Sequence, residues 1–115
     1  MKTPIKRMNE IVTVFIEYTE INGGKKRPAL VYQRNEESLI LLRITSHFEN
    51  KSAKIKKQYY HIDKWEQANL AKESWIDVGS TETFPAHGLN LKVIGQLSLL
   101  DKVGLSKFIE NFYHQ

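Results

Sequence analysis

The chain has 115 residues, of which 41% are hydrophobic and 26% are charged, a composition that favours a single globular domain over residues 1–115. Its net charge of +4 favours an anionic partner, and nucleic acid is the first candidate. The absence of cysteine excludes disulfides, thiolate metal sites and a cysteine nucleophile, and no apolar run approaches the roughly 20 residues that cross a bilayer.

The amino-terminal half predicts three strands. Residues 11–16 are rich in β-branched side chains and apolar on both alternating faces, which is typical of a strand buried on two sides. A loop is expected at residues 18–26, and the apolar run that follows predicts a second strand at 29–33. A polar turn then leads into a third strand at 38–45.

The segment before the second strand combines two glycines, three cations and a proline. Gly23 and Gly24 allow a tight bend, and Pro28 biases Arg27 toward an extended conformation. A basic loop tip that leads into a rigid strand can hold Arg27 beside a phosphate. The alternative is a hairpin loop whose cations face water, which is the usual environment of lysine and arginine.

Hydroxyl groups stand at the end of the third predicted strand. Arg43 and Thr45 share one face of this strand, and Ser46 follows where the strand ends. These hydroxyls can bind a ligand, or they can close off the strand's own backbone groups. The sequence alone leaves both interpretations open.

The carboxy-terminal half alternates polar segments with short strands. Residues 47–57 carry four lysines and predict a mobile basic loop, which either binds a phosphate backbone or is simply solvated. Short strands are expected at 59–62 and 74–77. Between them Asp63 and Glu66 have the spacing of a capping box and predict a brief helix over 64–70. Pro85 argues for irregular structure over 79–88.

The chain ends in a predicted amphipathic helix. A short apolar stretch at 93–97 precedes Ser98 and Asp101, which form a plausible helix start. Helical spacing then places the core-facing side chains Leu105, Phe108, Ile109 and Phe112 on one face. Five or six short strands with two helices indicate a mainly β fold with minor α, arranged as a small antiparallel barrel closed by helices.

Several familiar kinds of active site are absent from the sequence. There is no glycine-rich phosphate loop and no G-x-S-x-G elbow, and the four histidines are scattered without metal-like spacing, so we expect no cofactor and no metal. The remaining basic and hydroxyl side chains suit metal-free chemistry on RNA, in which the substrate's own 2′-hydroxyl attacks phosphorus. A guanidinium can neutralise the transition-state charge but is a poor general acid.

Three short motifs in order resemble the PemK/MazF family of toxin–antitoxin ribonucleases. They are V-x-V-F at 12–15, G-G-K-K-R-P-A-L-V at 23–31 and L-R-I-T-S at 42–46. The late V-I-G-Q-L at 93–97, followed by a helix, is also similar to the end of that family. Together the motifs run over nearly the whole chain.

The resemblance implies an SH3-like barrel that forms a homodimer, is inhibited by a cognate antitoxin and cuts single-stranded RNA without metal. The products would be a 2′,3′-cyclic phosphate and a 5′-hydroxyl. Family function would make Arg27 the catalytic arginine and Thr45 the residue that orients the phosphate. We expect the basic and hydroxyl side chains nearby to bind RNA: Ser46, Arg43, Lys25, Lys26, Lys51, Lys54 and Lys56. Because residues 1–8 lack a signal-type apolar core, we expect a cytoplasmic protein.

The sequence also departs from the family pattern. Asn9-Glu10 stands where Gly-Asp often begins the first strand, and Asn22 replaces an acidic residue. Thr81-Glu82 aligns with a second basic residue, so an acid would face the phosphate and could alter base selection or weaken activity. Two alternatives therefore remain: a non-catalytic SH3-like module that binds RNA or protein, and a divergent toxin with another target. The apolar first strand and terminal helix form either a shared interface or a single core.

Overall fold

The computed structural model describes residues 9–17, 24–85 and 91–114, with residues 15–17 and 24–26 described by their backbone alone. Six antiparallel strands form one sheet in the order β4-β5-β3-β2-β1-β6. The strands are β1 Glu10–Glu17, β2 Gly24–Arg34, β3 Ser38–Thr45, β4 Tyr59–His61, β5 Trp75–Pro85 and β6 Leu91–Gln96. The helices are α1 Ala53–Lys56 and α2 Leu99–Tyr113. The predicted mainly β, barrel-like fold with minor α is confirmed.

One face of the sheet packs against α2 and the segment before β5. Its buried side chains include Leu30, Leu42 and Ile76 from the strands, together with Leu105 from α2. Phe108, Ile109 and Phe112 of α2 also pack against this cluster, as their helical spacing predicted. The terminal helix therefore contributes to the chain's own core through these residues.

The opposite face carries a second apolar cluster. Its buried members are Val12, Val14, Ala29, Val31, Leu39 and Leu41. Because Ile11 lies in the first cluster and Val12 in the second, β1 is buried on both faces, as predicted. The apolar side chains described on β1 are therefore buried by the chain itself, which fits the single-core alternative and not the shared interface.

Four sequence predictions need correction at the level of elements. β2 begins at Gly24, so residues 24–26 of the expected loop at 18–26 are strand and pair with β1, and residues 18–23 lie outside the described residues. The predicted loop at 47–57 contains α1, because the Ser52 hydroxyl accepts the Ile55 N–H and starts a helical turn. Residues 63–69 form turns instead of a helix, and Asn69 has a φ of 66°.

The largest error concerns β5, which continues through Pro85 where irregular structure was expected. Residues 81–85 pair with the beginning of β3, with Glu82 opposite Leu41 and Pro85 opposite Ser38. Pro85 is the last residue of the strand, so its missing N–H interrupts no later ladder bond. Residues 86–88 of that prediction lie outside the described residues.

The start of α2 agrees with the sequence. The Ser98 hydroxyl accepts the backbone N–H of Asp101 at 3.2 Å and donates to the Asp101 carboxylate at 3.0 Å. Within the described part of the chain, no helix is long and apolar enough to cross a membrane.

Candidate functional site

A cavity of about 540 Å³ opens where β2, the end of β3 and the segment before β5 meet. Two properties describe its wall: most of the charged side chains are cationic, and hydroxyl groups lie between them. The lining residues are Arg27, Pro28, Arg43, Ile44, Thr45, Ser46, His47, Asn50, Lys51, Tyr59, Leu70, Ala71, Lys72, Ser74 and Asp77.

Five of the nine predicted site residues meet in this cavity: Arg27, Arg43, Thr45, Ser46 and Lys51. Lys54 and Lys56 lie on α1 and are not part of the wall. The backbones of Lys25 and Lys26 belong to β2, and their side chains lie outside the described residues. The structure thus brings both proposed catalytic residues together, and it separates part of the lysine loop from them.

Arg27 lies within β2, where its Cα pairs with Val14 of β1. The prediction that it sits at a loop tip is therefore wrong. Strand pairing fixes its backbone, and its side chain is exposed on the rim of the cavity. On the neighbouring strand Arg43 pairs with Ala29, two residues beyond Arg27, so the two arginines project from the same face.

The Thr45 hydroxyl is held by the backbone that follows β3. Its Oγ1 accepts the N–H of His47 at 3.0 Å. The hydroxyl therefore does satisfy a backbone N–H group at the end of the strand, which was one of the two predicted roles. A hydroxyl also carries one proton to donate, and a fixed oxygen leaves that proton suited to a phosphate oxygen in the cavity. Structural and ligand-binding roles are compatible for Thr45.

Arg43 forms an ion pair with Glu82. Arg43 Nε lies 3.1 Å from Glu82 Oε1, and the two side chains are 65% and 33% exposed. The hydrogen bond and the charge of Glu82 raise the pKa of Arg43 above its ordinary value. Exposed pairs of this kind contribute about 1 kcal/mol or less, so an anionic ligand can compete with Glu82 for this guanidinium.

Sequence reasoning missed four titratable residues of the wall: His47, Tyr59, Lys72 and Asp77. Asp77 is only 8% exposed. Its Oδ1 accepts the Gln58 side-chain amide at 2.7 Å and the Gly79 N–H at 3.1 Å. Tyr59 lies opposite Asp77 across β4 and β5, and burial first, then the Asp77 charge, raise its pKa. Only the β4–β5 register brings these two side chains together, and no local pattern predicts that register.

The electrostatic balance of the wall favours an anion. Arg27, Arg43, Lys51 and Lys72 supply four cations, against the carboxylates of Asp77 in the wall and of Glu82 beside Arg43. In the described ranges, no group of three or more histidine, aspartate or glutamate side chains has the arrangement of a metal site. Positive side chains beside fixed hydroxyls can bind and orient a phosphate group.

Comparison with known proteins assigns no role to the residues of the cavity, so their chemistry is inferred from the side chains themselves. No family model matches the sequence, and no curated protein matches it.

Proposed function

We propose that the chain is the toxin of a type II toxin–antitoxin system, a PemK/MazF-like endoribonuclease that cleaves single-stranded RNA without a metal. The observation that supports this proposal most directly is the meeting of Arg27 and Thr45 at one cationic cavity. The resemblance of the sequence assigns the catalytic roles to these two residues. Their proximity depends on strand pairing, which the short motifs do not specify.

The reaction proceeds by attack of the substrate's 2′-hydroxyl oxygen on the adjacent phosphorus. The O2′–P bond forms, the P–O5′ bond breaks, and a 2′,3′-cyclic phosphate and a 5′-hydroxyl result. Arg27 donates to the non-bridging oxygens as negative charge grows on them, and the Thr45 proton fixes the orientation of the phosphate. A charged, exposed guanidinium is suited to this stabilising role.

The proposed reaction also moves two protons, one from the 2′-hydroxyl and one to the departing 5′-oxygen. Arginine is a poor proton donor because its pKa is very high. His47 provides the imidazole on the wall, and its backbone N–H already holds Thr45. We therefore assign both proton transfers to His47, which accepts the 2′-hydroxyl proton and then donates it to the 5′-oxygen, and charge stabilisation to Arg27.

The homodimer and the cognate antitoxin remain part of the proposal. The terminal-helix residues first considered for an interface pack against the chain's own core, so a partner would use other surfaces. Leu99, Leu100 and Val103 of α2 are 76%, 56% and 47% exposed and offer apolar area for contact. Light scattering at micromolar concentration tests the homodimer, and a monomer there would contradict it.

The central test is cleavage of mixed-sequence single-stranded RNA in EDTA, with product ends identified by mass. We expect a 2′,3′-cyclic phosphate from the wild-type protein and at least a 100-fold slower reaction from Arg27→Ala, as for removal of one oxyanion-stabilising group. Arg34→Ala is the matched control, because Arg34 lies on the same strand and is absent from the cavity wall. A folded Arg27→Ala variant with unchanged cleavage would remove the proposal.

The Arg43–Glu82 pair supports a second candidate, a non-catalytic RNA-binding module, because one guanidinium of the wall already has an acidic partner. The same assay separates the two candidates. A binding module would hold RNA in a salt-sensitive manner and leave the strand intact. A toxin with another target would still arrest growth when Arg27 is replaced.

A further inference from the structure

Four aromatic side chains form a cluster beside the cavity. Phe48 and Trp75 stack with ring centroids 4.6 Å apart and planes only 8° from parallel. His61 lies 5.2 Å from Trp75, and Tyr59 lies 6.2 Å from Phe48, both tilted. We refer to Phe48, Tyr59, His61 and Trp75 as the aromatic cluster.

The aromatic cluster is joined to the cavity by strand register. Trp75 pairs with Thr45 across β3 and β5, and with His61 across β4 and β5. Tyr59 lines the cavity itself, and Phe48 directly follows the lining residue His47. A nucleotide whose phosphate lies beside Thr45 therefore has its base within reach of these rings.

Within the aromatic cluster, the outer ring faces of the stacked pair Phe48 and Trp75 are covered by Lys56 and His61, respectively. The Lys56 ammonium lies 4.8 Å from the Phe48 ring centroid. His61 is 45% exposed and lies 2.8 Å from Glu73, which is itself 56% exposed. Lys56 and Phe48 are half-buried, and the His61–Glu73 pair is exposed, so a planar ligand can displace Lys56 or His61 and take over the ring face.

We propose that the aromatic cluster stacks a nucleobase of the RNA strand whose phosphate occupies the cavity. The identity of the ligand rests on the proposed function, whereas the stacking surface follows from the geometry. Base–aromatic stacking is tolerant of sequence, and nearby cations strengthen it. Lys56, which sequence reasoning assigned to phosphate, would instead lie over the aromatic cluster and leave when a base arrives.

Fluorescence of Trp75 provides a direct test. The chain has two tryptophans, so Trp65→Phe leaves Trp75 as the reporter. The probes are a mixed-sequence 2′-O-methyl RNA octamer, whose attacking hydroxyl is blocked, and inorganic polyphosphate of matched charge. We expect the octamer to quench Trp75 and polyphosphate to leave it unchanged. Equal quenching by both probes would overturn the proposal, because it would report charge alone.

Binding to variants gives the quantitative test. In Trp75→Leu and in Phe48→Leu we expect octamer affinity to fall about 5- to 150-fold, the range for losing one stacked base, with polyphosphate affinity unchanged. Trp75→Phe should retain most of the binding. Thermal melting verifies that each variant is folded. Wild-type octamer affinity in both leucine variants would contradict stacking.

The experiments distinguish the stacking proposal from the nuclease proposal, because each can fail while the other holds. If octamer binding depends on Trp75 while an unblocked RNA remains uncut, stacking holds and the nuclease proposal is wrong. If Trp75→Leu cuts RNA with unchanged KM, the nuclease proposal holds and stacking is wrong.

Discussion

The Asp101 carboxylate accepts four hydrogen bonds, and three of them connect α2 to the rest of the domain. Its side chain has no exposed surface. Oδ1 accepts the Tyr60 hydroxyl and the Asp63 N–H, each at 2.8 Å. Oδ2 accepts the Lys64 N–H at 2.8 Å and the Ser98 hydroxyl at 3.0 Å. A carboxylate that accepts four bonds is well compensated for its burial.

Replacing Asp101 should therefore destabilise the fold. In Asp101→Asn the amide can accept on one atom only, and its NH₂ group faces donors. We expect the free energy of unfolding to fall by about 3 kcal/mol, as when a buried charged partner is lost. Urea denaturation measures this loss. Tyr60→Phe removes only one of the four bonds and is the control, with a loss of about 1 kcal/mol. Equal losses in the two variants would contradict this account of Asp101.

The same network predicts a dependence of stability on pH. Burial acts to raise the pKa of Asp101, but the bonds from Lys64, Asp63, Tyr60 and Ser98 outweigh it, so the pKa is lowered from 3.8. Because the unfolded state then binds a proton first, this stability is present above about pH 4 and is lost as the pH falls toward the folded-state pKa. Denaturation curves between pH 6 and 3 should show a smaller loss for Asp101→Asn than for wild type. Parallel losses would count against the prediction.

Glu82 lies beside the cavity and affects anion binding through its ion pair with Arg43. Its carboxylate pairs with Arg43, so it both occupies a guanidinium and repels phosphate. In Glu82→Gln we expect RNA to bind about fivefold more tightly, the effect of roughly 1 kcal/mol of repulsion. Stability should change by less than about 1 kcal/mol because the pair is exposed. Glu110→Gln removes the same charge from α2 and is the control. Weaker binding in Glu82→Gln would contradict this prediction and would show that the ion pair holds Arg43 in a position that favours RNA binding.

At the level of elements, β6 and the turn segment at 63–69 approach each other closely at Gly95. A Cβ placed on Gly95 would lie 2.1 Å from the Ala68 carbonyl oxygen, which is backbone and cannot rotate away. Asn69 reinforces the contact, because its side-chain amide donates to the Ile94 carbonyl at 2.7 Å. This contact couples the edge of the sheet to the segment that covers the core.

Gly95→Ala should separate these two elements. We expect a loss of about 1–3 kcal/mol in the free energy of unfolding, the usual cost of overpacking. Gly79→Ala is the comparison, because its Cβ would meet the end of the Gln58 side chain, which can rotate away at the cost of its hydrogen bond to Asp77. Thermal and urea unfolding compare the two variants. A Gly79→Ala variant less stable than Gly95→Ala would contradict the role of the backbone contact.

Local patterns in the sequence predict some elements well and others poorly. β3 has the predicted bounds, and α2 begins after Ser98, because alternation and capping depend on neighbouring residues. The second half of β5 could not be predicted, since its pairing with β3 is non-local and Pro85 masks it. The expected helix at 64–70 is cut short because Asn69 adopts a left-handed conformation, and the N–H groups of Asn69 and Leu70 bond back to the Glu66 and Trp65 carbonyls.

The candidate site divides in the same way. Arg27, Arg43 and Thr45 could be selected from the sequence, because short motifs contain them and alternation puts two of them on one face. Tyr59, Asp77 and Lys72 could not, because they reach the cavity through the pairing of β4 with β5 and through the loop before β5. Long-range register decides which side chains surround a cavity, and composition does not.

At the scale of the whole molecule, the two faces of the sheet have different roles. One face packs against α2 and carries the larger apolar cluster. The other combines buried apolar residues on β1 and β2 with the cationic cavity and the aromatic cluster at the β4–β5 end. On this second face the cations of the cavity lie beside the aromatic rings. That arrangement suits a single-stranded nucleic acid, in which phosphates alternate with bases.

This arrangement predicts which lysines contribute to the salt dependence of RNA binding. For single strands, the slope of log K against log salt changes by about 0.7 for each phosphate contact. Lys51 and Lys72 line the cavity, so Lys51→Ala and Lys72→Ala should each reduce the slope by about 0.7. Lys107→Ala on α2 removes the same charge away from the cavity and should leave the slope unchanged. Titrations from 50 to 300 mM salt measure the slopes, and equal changes in all three variants would show that net charge, and not the cavity, attracts the RNA.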